Sequence, residues 1–173
     1  TWSRADYRTI GPADESGGYE NWLDTPVAQR VPYETETSDR RVAGPDGGDG
    51  TQFSDEGVEF TAFPVERGSY HYSDRTPTAY LYYYDGVANG PMPHLTIEEM
   101  NLLKAEALLH TNGSIDEVES LIDLTRVDEG ELPSADGAPV GSMSDNPNPL
   151  TSSADPDPVT IWSMLKYEFN LET

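Results

Sequence analysis

The sequence predicts a mainly α fold: a helical hairpin plus one further helix, set among long irregular loops and short extended segments. Three observations point there. Thr96 and Ser114 each carry a Glu three residues on and open a run of apolar residues at helical spacing, the signature of a capping box at a helix start. A third periodic run lies close to the last residue, Thr173. The 15 Gly and 14 Pro in 173 residues break much of the remaining chain into turns and loops.

A chain of this length suits one domain. Within it, 1–94 reads as a loop-rich region with short strands, 95–126 as the hairpin, 127–157 as a connecting loop and 158–173 as a helix. The first 57 residues are polar, punctuated by Gly11-Pro12, Gly17-Gly18 and the Gly44-to-Gly50 cluster. Their aromatics, Trp2, Tyr7, Tyr19, Trp22 and Tyr33, favour ordered loops packed on a scaffold. Alternation from Val58 to Val65 and the β-prone Ala79-to-Tyr84 run predict short strands, limited by Pro64, Pro77 and Pro91.

In the first helix of the hairpin, Ile97, Met100, Leu103 and Ala107 recur at helical spacing, and Asn112-Gly113 supplies a left-handed stop. Leu102, Leu103, Leu108 and Leu109 widen the apolar arc, which predicts a helix buried between neighbours. Ala105 and Ala107 are small enough to let a second helix, built on Val118, Leu121 and Ile122, approach closely. Asp157 and Pro158 read as the cap and first turn of the last helix, with Ile161, Leu165 and Phe169 on its inner face and Trp162 and Tyr167 in the core.

Charge narrows the partners. Against 32 Asp and Glu stand 10 Lys and Arg, a formal charge of −22, so no basic patch exists with which to neutralise phosphates. Nucleic acid and anionic membrane surfaces are not the partners expected on this ground. The acids are scattered, as on a solvated surface. With no Cys there is no disulfide framework and no thiolate chemistry. No apolar run approaches the ~20 residues of a membrane-spanning helix. The chain opens without Met and closes inside a helical pattern, which leads us to expect an incomplete chain.

The segment from Pro93 to Leu109, with Glu99-Met100, Leu102-Leu103 and Ala105-Glu106-Ala107, resembles the tetratricopeptide-like helix of the SusD/RagB family. The likeness continues through Asn112-Gly113 and Val118 to Leu121-Ile122-Asp123-Leu124-Thr125-Arg126. It is flanked by Gly68-Ser69-Tyr70 and by Leu165-Lys166-Tyr167-Glu168. The 127–157 loop matches no motif of the family and the first 60 residues match little of it. The resemblance implies a tetratricopeptide-like hairpin in a surface-exposed lipoprotein of the cell outer membrane. Such a protein captures a glycan or peptide nutrient and passes it to a SusC-like TonB-dependent transporter. Its lipid anchor would lie outside this fragment.

The residues themselves offer little for catalysis. No nucleophile elbow, P-loop or dinucleotide fingerprint is present, and among 32 acids no pair stands out. We therefore expect no enzyme and no cofactor. Glu106, on the helix expected to be buried, reads as a packing or capping group. His71, His94 and His110 lack ligand spacing for zinc. Asp46-Gly47-Gly48-Asp49-Gly50 has oxygen donors suited to calcium but lacks the EF-hand pattern, and reads as an acidic turn. For a sugar ligand, the loop aromatics Trp22, Tyr33, Tyr70 and Tyr72 are the candidate contacts, since flat rings stack on pyranose faces. Each is also able to serve as a local packing anchor. A tetratricopeptide-like interaction module is the competing reading.

Overall fold

The computed structural model describes residues 4–59, 68–79, 94–149 and 159–172. It divides into two compact units, Thr1–Pro93 and His94–Thr173, and the division falls where the sequence changes from loop-rich to helical. Among the described residues the fold is mainly helical, with one two-stranded sheet.

Among its described residues the first unit has little regular structure and is held by side chains reaching backbone groups. Helix α1 (Tyr7–Ile10) starts where Asp6 Oδ1 accepts from Arg8 N at 2.8 Å. Helix α2 (Gly18–Asp24) carries Trp22 into the interior. Strands β1 (Phe53–Asp55) and β2 (Arg75–Pro77) pair antiparallel, with Phe53 opposite Pro77 and Asp55 opposite Arg75. Pro77 is tolerated because a two-stranded sheet consists of edges alone.

Of the extended stretch expected from Val58, only Val58 and Glu59 are described and neither is in a strand, while a strand that was not expected lies just before it, at Phe53–Asp55. The Asp55 carboxylate accepts from Gly57 N at 2.8 Å, and Gly57 sits at φ 64, so an Asx turn ends the extended run before the alternating residues begin. The remainder of that stretch, Phe60 to Val65, and the Tyr80–Tyr84 run lie outside the described residues.

Loop carbonyls have no ladder partner, and burial without one is costly. Here the scarce cations supply the donors. Arg4 donates to the carbonyls of Glu56, Gly57, Glu59 and Ser73, and Arg30 to those of Leu23 and Thr25. Arg41, fully buried, pairs with the equally buried Asp39 at 2.7 Å.

In the second unit, helices α3 (Ile97–His110) and α4 (Ile115–Arg126) form an antiparallel hairpin. Thr96 and Ser114 cap them by accepting from Glu99 N at 3.0 Å and Glu117 N at 3.3 Å. The turn splits its two demands between neighbours. Asn112 takes the left-handed conformation at φ 54, while Gly113 meets a steric limit: a Cβ there would lie 2.6 Å from a Leu108 methyl carbon.

Helix α5 (Ile161–Glu172) completes a core of Leu102, Ala105, Val118, Ile122, Ala135, Ile161, Trp162, Met164 and Leu165. Trp162 and Tyr167 are buried, as expected. The helix begins later than the sequence suggested. Thr160 and Ser163 cap it reciprocally, Ser163 N donating to Thr160 Oγ1 at 3.1 Å and Thr160 N to Ser163 Oγ at 2.7 Å. Asp157 and Pro158 lie outside the described residues.

The packing of α3 departs from expectation in a way the helix geometry explains. Leu102 and Ala105 face the core, with Leu108 and Leu109 packed against it. Ile97, Met100 and Leu103 are 74%, 48% and 41% exposed, and Ala107 is exposed beside them. At 100° per residue the two sets occupy opposite sides of the helix. The close approach to α4 is therefore made over Ala105 and not Ala107, and only one face of α3 is buried among the described residues.

The loop after α4 is strapped to the helices throughout its described part. Asp123 accepts from Ala135 N at 2.8 Å, and Glu119 from Gly137 N at 3.1 Å. Asp145 accepts from Ser142 N at 2.9 Å and Thr160 Oγ1 at 2.8 Å, while Lys166 donates to the Asp145 carbonyl at 2.7 Å.

Candidate functional site

The aromatic residues named from the sequence come together in the first unit around Tyr7, whose side chain is fully buried. Tyr7 stacks on Tyr33 at 4.3 Å and tilts against Trp22 at 5.6 Å, and Trp22 lies 6.2 Å from Tyr70. Tyr72 joins by way of His71, with ring centroids 4.3 Å apart. His71 is thus an aromatic packing partner between Tyr70 and Tyr72.

Polar groups fasten this cluster. The Tyr7 hydroxyl accepts from Tyr33 N at 2.7 Å and donates to Tyr33 O, and Trp22 Nε1 donates to Tyr70 O at 3.1 Å. Burial pushes the phenols of Tyr7 and Tyr33 far above their ordinary range. Trp22 is only 4% exposed, and the Arg30 guanidinium covers its ring at 4.1 Å. For a pyranose to stack on Trp22 it would have to displace that cation. Tyr33, Tyr70 and Tyr72 are half-buried.

Beside this cluster, within the same unit, lies an open polar cleft of about 890 Å³. Its walls are the extended stretch from Glu34 to Ser38 and the turn from Ala43 to Gly48, with Glu15, Arg40, Asp55, Asp74 and Arg75 completing it. Among the described residues, no aromatic ring lines it. A cavity of this size falls within the range that holds small ligands.

The cleft floor is the pair Asp74 and Arg75, both buried. Asp74 accepts from Thr35 N at 3.0 Å and Thr35 Oγ1 at 2.8 Å. Burial raises its pKa, opposed by the Thr35 hydrogen bonds and the Arg75 charge. Arg75 Nη1 donates to Gly48 O at 2.9 Å, and Nη2 to Gly47 O at 3.0 Å and Thr35 O at 3.2 Å. Its Nε lies 3.3 Å from Asp74 Oδ2.

Some of these contacts involve the Asp46-to-Gly50 turn. Two of its carbonyls face a guanidinium, and Asp49 Oδ1 accepts from Asp55 N at 2.8 Å, so three of the oxygens that suggested calcium are engaged by the chain. Among the described residues, no group of three or more His, Cys, Asp or Glu side chains is arranged to hold a metal ion.

Glu106 is 39% exposed and 4.0 Å from His110, so it is not the buried acid the sequence suggested. That place belongs to Glu168 on α5. It is fully buried, accepts from Thr125 Oγ1 at 2.9 Å and lies 3.7 Å from Arg126 Nη1. Arg126 also donates to the carbonyls of Pro133 and Pro149. Sequence reasoning missed both Glu168 and Arg75. The signal it had was scarcity: in a chain with 10 basic residues, an arginine set among acids is more valuable inside than outside.

Comparison with known proteins returned no matching family model, no matching curated protein and no matching solved structure.

Proposed function

We propose that the chain is a binding segment of a SusD/RagB-type nutrient-capture protein, taking up a glycan or peptide at the cell surface for delivery to a TonB-dependent transporter without chemical turnover. The observation that carries this reading is that the residues of the resemblance, Thr96 to Arg126, fold as a doubly capped hairpin packed on a third helix. In this reading the ligand enters the polar cleft of the loop-rich unit. Trp22 then acts as a packing anchor, and Tyr33, Tyr70 and Tyr72 steady the surrounding loops.

The test is retention of a TonB-dependent transporter from outer-membrane extract by the immobilised chain, together with saturable binding of at least one member of a panel of oligosaccharides and peptides. Absence of both removes the proposal. Hydrolysis of a bound ligand would replace it with an enzymatic one.

One observation favours the competing reading, an interaction module: the apolar stripe of Ile97, Met100 and Leu103 on the outer face of α3. A Met100→Asp and Leu103→Asp double variant separates the two. Loss of partner retention with ligand binding intact assigns that face to protein contact.

A further inference from the structure

The Arg75 side chain occupies a cage of oxygens contributed by separate stretches of the first unit. Three are backbone carbonyls, of Thr35, Gly47 and Gly48, at 3.2, 3.0 and 2.9 Å from the terminal nitrogens. Two are carboxylates: Asp74 Oδ2 at 3.3 Å from Nε, and Asp55 Oδ2 at 3.9 Å from Nη1. The arginine side chain is only 3% exposed. Gly47 adopts φ 82, a conformation that favours glycine and lets consecutive carbonyls turn toward one donor.

Asp carboxylates and inward backbone carbonyls are also the oxygen donors with which loops hold a hard metal cation. A guanidinium carries a single positive charge on a planar fork with weaker hydration, so it can donate to several carbonyls and lie beside carboxylates at a lower desolvation cost. All five residues that surround Arg75 also line the cleft. The shape of the cleft therefore depends on what fills the cage.

We propose that this cage is a guanidinium site whose resident ligand is the chain's own Arg75, a built-in cation that positions the cleft walls in place of a bound metal ion. This goes beyond the nutrient-binding reading and does not depend on it. An emptied cage accepts a monosubstituted guanidinium from solution and rejects cations without the fork.

The experiment uses the whole chain carrying Arg75→Ala. Hydrogen exchange is followed at the amides of Gly44 and Gly47, which donate to Gly48 O at 3.2 Å and Gly44 O at 3.0 Å. Their protection should fall by about tenfold or more, the scale of a lost charge-assisted hydrogen bond. Methylguanidinium at non-denaturing concentration should restore it saturably, whereas methylammonium and sodium chloride at equal ionic strength should not. Wild-type protein should respond to none of them. Equal effects of all three salts on the variant would overturn the proposal.

Should Arg75→Ala fold only with methylguanidinium, that result supports the site. Should it fail to fold under every one of these conditions, the wild-type Arg75 side-chain N–H resonances decide. Separate, slowly exchanging signals fit the cage, and a single averaged signal contradicts it.

Discussion

Replacing Glu168 by Gln removes one charge from the interior of the second unit while keeping the shape of the side chain. Glu168 and Arg126 are both fully buried, with 3.7 Å between Oε1 and Nη1. Removing one partner of such a pair typically costs about 3–5 kcal/mol, because the remaining charge stays buried. Arg126 keeps the carbonyls of Pro133 and Pro149, and the new amide oxygen still accepts from Thr125, which places the cost near the lower limit, about 3 kcal/mol. For a unit of this size the melting temperature should fall by roughly 12 °C or more. Far-ultraviolet circular dichroism reports this transition, since the three long helices, Ile97–His110, Ile115–Arg126 and Ile161–Glu172, belong to this unit. Adding Arg126→Met removes the stranded charge, so the double variant should be less destabilised than the sum of the singles by about 1 kcal/mol or more. A loss below about 1 kcal/mol for Glu168→Gln, or strictly additive losses, would refute the argument that these charges depend on each other.

Other consequences concern the caps, the helix faces and the cleft floor. Thr96→Ala and Ser114→Ala should each cost about 1 kcal/mol in urea denaturation, and Asn112→Val should cost more than Asn112→Gly because a branched residue resists φ 54. Ala105→Leu, at a fully buried site, should destabilise by about 1–3 kcal/mol, whereas Ala107→Leu should leave the melt nearly unchanged. For Asp74 the folded pKa is raised, so the native state holds its proton to higher pH than the unfolded chain. Its contribution to stability is greatest below the ordinary carboxylate value and declines as pH rises from there through the raised folded value. Asp74→Asn should remove that decline from the pH profile of urea stability, and an unchanged profile would contradict the assignment.

Local signals in the sequence were reliable where the physics is local. The side chains of Thr96 and Ser114 bond amides three residues away, and Asn112 and Gly113 answer to the turn they occupy, so the hairpin and its boundaries could be read directly. The faces of α3 could not be, because apolar residues occupy both sides, and periodicity within one helix does not say which side meets a neighbour. Thr160 and Ser163 form a capping pair with no acid, a weaker pattern than Asp157-Pro158 just before it. The cleft was hidden for another reason. Arg75 reaches Thr35 across 40 residues of sequence and Gly48 across 27, and no local pattern encodes which carbonyls a distant guanidinium will serve. For the same reason Trp22 and Tyr33, candidate ligand platforms by residue type, proved to pack around Tyr7.

The central claim is that this chain binds a nutrient in the polar cleft without transforming it, and backbone amide chemical-shift mapping during titration with an oligosaccharide and peptide panel tests it most directly. The account predicts saturable shifts at Thr35 to Ser38, Gly47 and Gly48 for at least one ligand, recovered intact afterwards. Shifts confined to Ile97, Met100 and Leu103, or appearance of a cleaved product, would contradict it.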